Sequence, residues 1–184
     1  MKLPGYILIV ITLLLVSCAE DDGSDEIAKG VLQIYGSKFS LTSGAIEKKE
    51  KPGGGQGYVY YMDLYSSGID SLSGVGMGHI VSMDIYPDSE NGNIDGTYTM
   101  ADNSEADGRF DGLIYLDYNT ETADYYSVYI LNSGTVVIAE SAGVYELTMD
   151  IQADEYIQVE DSSNFDIKIT CQYEGSLVQR SLKK

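Results

Sequence analysis

The chain has no tryptophan, one histidine (His79), three prolines and two cysteines, Cys18 and Cys171. Without tryptophan it lacks the broadest face for stacking on a sugar ring. One histidine cannot build a histidine-rich zinc site, and nothing in the spacing joins His79 to Cys171 as a nucleophile and base. Two cysteines exclude a disulfide framework. At about 155 residues beyond its leader, the chain is long enough to bury a core without one. Basic residues are also scarce: 11 Lys and Arg stand against 29 Asp and Glu, for a net charge of −18. Between Pro52 and Ile167 there are 21 acids and one base, Arg109. A field of that sign repels phosphate backbones, which argues against nucleic acid as a partner. Long apolar runs are missing too: the one candidate, Tyr6–Val16, has eleven residues, against about 20 for a membrane-spanning helix.

That short run has another use. Lys2 gives a positive start, Tyr6–Val16 is the length of a signal h-region, and Leu15-Val16-Ser17-Cys18 follows. This resembles the lipobox of bacterial lipoproteins. The resemblance implies cleavage after Ser17 and a thioether-linked diacylglycerol on Cys18, which with a further acyl chain holds a protein stably to a membrane. The next residues, Ala19-Glu-Asp-Asp-Gly-Ser-Asp-Glu26, are too polar to bury and read as a solvated tether. They are similar to the acidic export signal of Bacteroidota surface lipoproteins, which implies an outer-membrane protein displayed on the cell surface. A plain polar linker with a periplasm-facing domain is the alternative. The expected organisation is a signal peptide over 1–17, a lipidated tether over 18–28 and one domain over 29–184.

In that domain apolar residues alternate with period two, as in half-buried strands. Strands are expected at Val31–Tyr35, Phe39–Ile46, Tyr58–Tyr65, His79–Tyr86, Gly96–Met100, Phe110–Tyr118, Tyr125–Leu131, Thr135–Glu140, Val144–Ile151 and Phe165–Tyr173. Asn132-Ser133-Gly134 reads as a hairpin turn, and 152–164 as a long connection with room for a helical turn. About ten short strands separated by glycine-rich turns predict an all-β fold: a jelly-roll-like antiparallel β-sandwich or a closed β-barrel. The run from Gly134 to Leu177 resembles the ending of small β domains in uncharacterised Bacteroidota lipoproteins, a likeness that implies fold and no activity.

Two stretches carry candidate chemistry. Asn91, Asn93, Asp95, Gly96 and Asp102 fall on positions 1, 3, 5, 6 and 12 of a calcium-binding loop. Against this, Asn-Gly and Asp-Gly are common turn pairs, Asp102 is shorter than the usual Glu, and Gly96–Met100 reads as a strand that would carry Asp102 away. On the parity opposite the core lie Tyr61, Tyr65, Tyr115, Tyr125 and Tyr129. Aromatic rings beside carboxylates can stack on sugars, and tyrosine also suits a half-exposed sheet. Asp111 and Asp117 illustrate that among 29 acids some pair always resembles that of a glycosidase, so no pair is nominated. Gly74-Val-Gly76-Met-Gly78 precedes a strand, not a helix, and cannot be a dinucleotide fingerprint. Cys171 shares parity with Phe165, Ile167, Ile169 and Tyr173 as a core thiol. The expectation is a non-catalytic binding or adhesion role towards a glycan or an envelope protein, with no cofactor unless calcium. A structural accessory lipoprotein is the second reading and a hydrolase the third.

Overall fold

The computed structural model describes residues 29–51, 57–88, 92–100, 106–158 and 162–180. The signal peptide, Cys18, the tether, Asn91 and Asp102 lie outside the described residues. Eleven strands form one curled, mixed sheet, with no helix among the described residues: β1 Gly30–Ile34, β2 Ser37–Leu41, β3 Ser43–Glu50, β4 Tyr58–Tyr65, β5 Met77–Tyr86, β6 Gly96–Met100, β7 Arg109–Asn119, β8 Ser127–Ser141, β9 Val144–Ile157, β10 Ser162–Ser176 and β11 Val178–Gln179. The all-β expectation holds, in a barrel-like form.

Antiparallel ladders join each main strand to the next in sequence, from β3 through β4, β5, β7, β8 and β9 to β10 and then β1. The expected strand Phe39–Ile46 is divided at Thr42. Its first part, β2, pairs with β1, and its second, β3, pairs with β4. Across the bend, Leu41 O accepts from Lys29 N–H and Thr42 N–H donates to Tyr65 O. One bent strand therefore links the two ends of the sheet. The short β11 runs parallel to β3 just after β10 ends.

Inside the curl, Leu32, Phe110, Ile114, Val136, Met149 and Ile169 are among the buried residues of one continuous core. Cys171 belongs to it, as expected, and burial pushes its thiol up to about 12. A smaller second cluster lies on the outer face of β3, β4 and β5: Ala45, Tyr65, Ile69 and Ile80, with Tyr115, Tyr118 and Val178 packed against it. Segment 66–76 and the carboxy-terminal β11 supply part of this cover.

Three bulges change the expected parity. The supposed hairpin at Asn132–Gly134 is a bulge inside one long strand: Leu131 pairs with Ala153, Ser133 pairs with Gln152, and Asn132 is extra. Gly134 is needed there, since at φ 120° its α-carbon faces Asp150 O so closely that a Cβ would lie 2.4 Å from it. The extra residue puts Tyr129 and Leu131 inside with Val136 and Ile138, and sends Ile130 out. In β10 a bulge between Asn164 and Ile167 turns Phe165 outward, leaving it 71% exposed, with Asp166 at φ 56°. In β7 Leu116 and Asp117 stand where β5 has only His79, with Asp117 at φ 51°, and Tyr118 moves to the outer cluster. The connection expected over 152–164 is largely sheet, because β9 continues to Ile157 against β8 and β10.

Candidate functional site

The strands alternate in direction, so one end of the barrel carries the Tyr35-Gly36 turn, segment 66–76 and segment 120–126. Lys29 lies close to the start of segment 66–76, because its N–H donates to Leu41 O while the next residue, Thr42, donates to Tyr65 O. Segments 66–76 and 120–126 are tied together. Thr120 N–H donates to Gly76 O at 3.0 Å, Gly76 N–H donates to Thr120 Oγ1 at 2.9 Å, and Ile69 bridges to Gly76. Asp70 closes its own turn by accepting from Ser73 N–H and Ser73 Oγ. Those hydrogen bonds hold its carboxyl below the ordinary range, so it is ionised at neutral pH.

The expected tyrosines divide three ways. Tyr115 and Tyr125 come together: Tyr115 stacks on Tyr118 at 4.8 Å and meets Tyr125 edge-on at 5.7 Å. Tyr61 is elsewhere on the outer face, under the Lys49 ammonium at 4.5 Å. Tyr65 and Tyr129 are corrections to the exposed set, both 2% exposed. Tyr65 is covered by its outer cluster and by Arg180, whose guanidinium sits 5.5 Å from the ring. Tyr129 faces the core because of the Asn132 bulge.

Tyr129 meets a residue that sequence reading did not single out. Glu155 is a buried carboxylate on the inward face of β9, flanked in register by Tyr129 and Asn164. It accepts from Tyr129 Oη at 2.5 Å, from Asn164 Nδ2 at 2.8 Å and from Tyr35 Oη at 3.2 Å. These donors satisfy the oxygens of a carboxyl group that would be costly to bury without partners. Burial, and then donation to Glu155, push the Tyr129 phenol well above its ordinary value.

Segment 66–76 and the first residue of β5 expose apolar side chains that sequence reading passed over. Leu72 is 69% exposed, Met77 62% and Val75 48%. Their one sequence signal was apolar residues without period inside a Ser/Gly-rich stretch. His79, the third residue of β5, accepts from Asp117 N–H through Nδ1 at 3.2 Å and packs edge-on against Phe39. Burial lowers its pKa against the opposing pull of Asp117, so it is neutral at pH 7.

In the calcium-like stretch, Asn93 and Asp95 form a turn entering β6. Asp95 N–H donates to Asn93 Oδ1, Asn93 Nδ2 donates to Asp95 Oδ2, and Asp95 Oδ1 accepts from Glu140 N–H at 2.5 Å. Both Asp95 oxygens thus have structural partners. Among the described residues no three His, Cys, Asp or Glu side chains gather as a metal-holding group. The carboxylates that do meet are Asp84 and Asp111, directly opposite on β5 and β7, rather than Asp111 and Asp117. Burial, and then the charges of Asp111 and Asp63, push Asp84 up to about 6, with Lys49 opposing. Opposed residues of neighbouring strands project side by side from one face. They do not converge across a gap on a substrate bond.

No protein-family model, curated protein or solved structure matches this chain.

Proposed function

We propose that the chain is a lipid-anchored protein of the outer cell surface with a non-catalytic binding or adhesion role, and that it makes contact through the tied segments 66–76 and 120–126. The observation that carries this reading is the cluster Tyr115, Tyr118 and Tyr125, two of whose rings pack against the outer cluster that holds Ile69 of segment 66–76, a segment that exposes Leu72 and Val75. Exposed apolar and aromatic side chains grouped on a soluble surface mark contact sites. Here they stand on a backbone already braced by hydrogen bonds, which lowers the ordering cost of binding. The lipobox-like Leu15–Cys18 supports an anchor at Cys18.

A structural accessory role in an outer-membrane complex is the second reading. Leu72, Val75 and Met77 favour it, because such a protein needs an apolar face for its partner more than a concave aromatic one.

Two measurements test the proposal. Metabolic labelling with an alkyne fatty acid is expected to mark the full chain and to be lost in Cys18→Ser. The unanchored Cys18→Ser protein is expected to sediment saturably with envelopes prepared from cells lacking it, and the further change Tyr115→Ser/Tyr125→Ser is expected to weaken this at least fivefold. Equal sedimentation of the two proteins would overturn the choice of surface.

A further inference from the structure

We infer that the occupant of this surface is a protein segment combining apolar side chains with Lys or Arg; the inference rests on the reading of segments 66–76 and 120–126 as the contact surface. Charge is the argument. From Leu64 to Gly78 and from Tyr115 to Ser127 there is no Lys or Arg, whereas Asp70, Asp117, Glu121 and Asp124 are all present and exposed. Among the described residues none of the four is in ion-pair contact with a Lys or Arg, although Arg180 attracts Asp70 from beyond that range, and His79 approaches Asp117 at 3.7 Å. That imidazole is neutral at pH 7 and has its Nδ1 engaged as an acceptor. The Arg180 guanidinium sits on segment 66–76, donating twice to Ser71 O and attracting Asp70, and it also donates to Asp63 at 3.1 Å; the uncompensated carboxylates are therefore those of the other segment and its approach, Asp117, Glu121 and Asp124.

An apolar centre bordered by uncompensated carboxylates selects against anionic partners and speeds encounter with cationic ones. It also suits a partner that brings its own apolar side chains to Leu72, Val75 and Met77, where a neutral sugar would bury little. Tyr115 and Tyr125 add ring faces to which Arg or Lys can bind.

The test uses the full chain in a neutral detergent and three probes: a 14-residue peptide of alternating Lys and Leu, its Glu–Leu counterpart, and a soluble neutral β-glucan. The Lys–Leu peptide is expected to bind, more weakly as salt rises from 20 to 200 mM, and the Glu–Leu peptide is not. Two paired changes are expected to weaken Lys–Leu binding at least tenfold: Glu121→Gln/Asp124→Asn, which removes border charge, and Leu72→Ser/Val75→Ser, which removes the apolar centre. Glu146→Gln/Glu174→Gln removes the same charge from the outer face of β9 and β10, where both are exposed, and should change binding less than twofold. All these positions are exposed, so the variants should fold. Equal losses from the border and distant pairs would overturn the inference, since attraction would then be diffuse. Binding of the glucan, lost with Leu72→Ser/Val75→Ser, in place of the peptide would also overturn it while leaving the contact surface standing. Indifference of every probe to every variant would sink both.

Discussion

Replacing Asp84 by asparagine should make the protein more stable at neutral pH and leave it unchanged in acid. Asp84 faces Asp111 across the β5–β7 ladder and Tyr61 across β4–β5, and its carboxyl is pushed up to about 6 by burial and by Asp111 and Asp63. In the unfolded chain the same group loses its proton near the ordinary value of 3.8. Between those two values the unfolded state binds fewer protons than the folded one, so stability from this group is complete below 3.8 and is lost as pH rises through about 6. At about 1.4 kcal/mol per pH unit, the rise corresponds to about 3 kcal/mol. Asp84 is only half-buried, and solvent screening reduces this to about 1–1.5 kcal/mol. Asp84→Asn keeps the shape and removes the charge. Paired thermal melts should show the variant about 2–6 °C more stable at pH 7.5, with the difference vanishing near pH 4. A difference of the same size at both pH values would refute the electrostatic origin, and a lower melting point at pH 7.5 would refute the account of the site.

Other predictions follow from buried groups and the backbone. Glu155→Leu strands the buried Tyr129 hydroxyl and removes the acceptor for Tyr35 and Asn164, and should cost about 3 kcal/mol; adding Tyr129→Phe should recover at least about 1 kcal/mol, as read by denaturant unfolding. Gly134→Ala places a methyl group against Asp150 O and Ile151 Cα at an unfavourable φ, so a loss of about 2–3 kcal/mol is expected. Cys171 should react with a thiol reagent only as fast as the protein unfolds, because its thiol is buried and held almost wholly protonated; rapid labelling of the native protein would contradict its place in the core.

The sequence made the strands legible because alternation is a local property. Val81, Met83 and Ile85 in β5, and Ile167, Ile169 and Cys171 in β10, face the core as their period requires. It misled wherever one extra residue slipped into a ladder. Val136 and Ile138 set a parity that, carried back through Asn132, points Tyr129 at solvent; the bulge reverses it. Asp117 and Asp166 do the same for Tyr118 and Phe165. A bulge depends on what the partner strand needs opposite it, as when β9 requires β8 to continue past Gly134, so it has no signature in one strand alone. The candidate surface was half legible. Tyr115 and Tyr125 were chosen and do meet, but Leu72, Val75 and Met77 lie in an irregular stretch without period. Their exposure follows from Ile69 docking on the outer cluster and Thr120 fastening Gly76, contacts between positions far apart in the chain.

The most direct test of the contact surface is site-specific photocrosslinking in intact cells. A benzophenone side chain in place of Leu72 or Tyr126, both exposed on the tied segments, is expected to give discrete crosslinked products. The same group in place of Thr135 or Thr148, exposed on the outer face of β8 and β9, should give none. Products arising from Thr135 and Thr148 but not from Leu72 or Tyr126 would show that the protein meets its surroundings through another face.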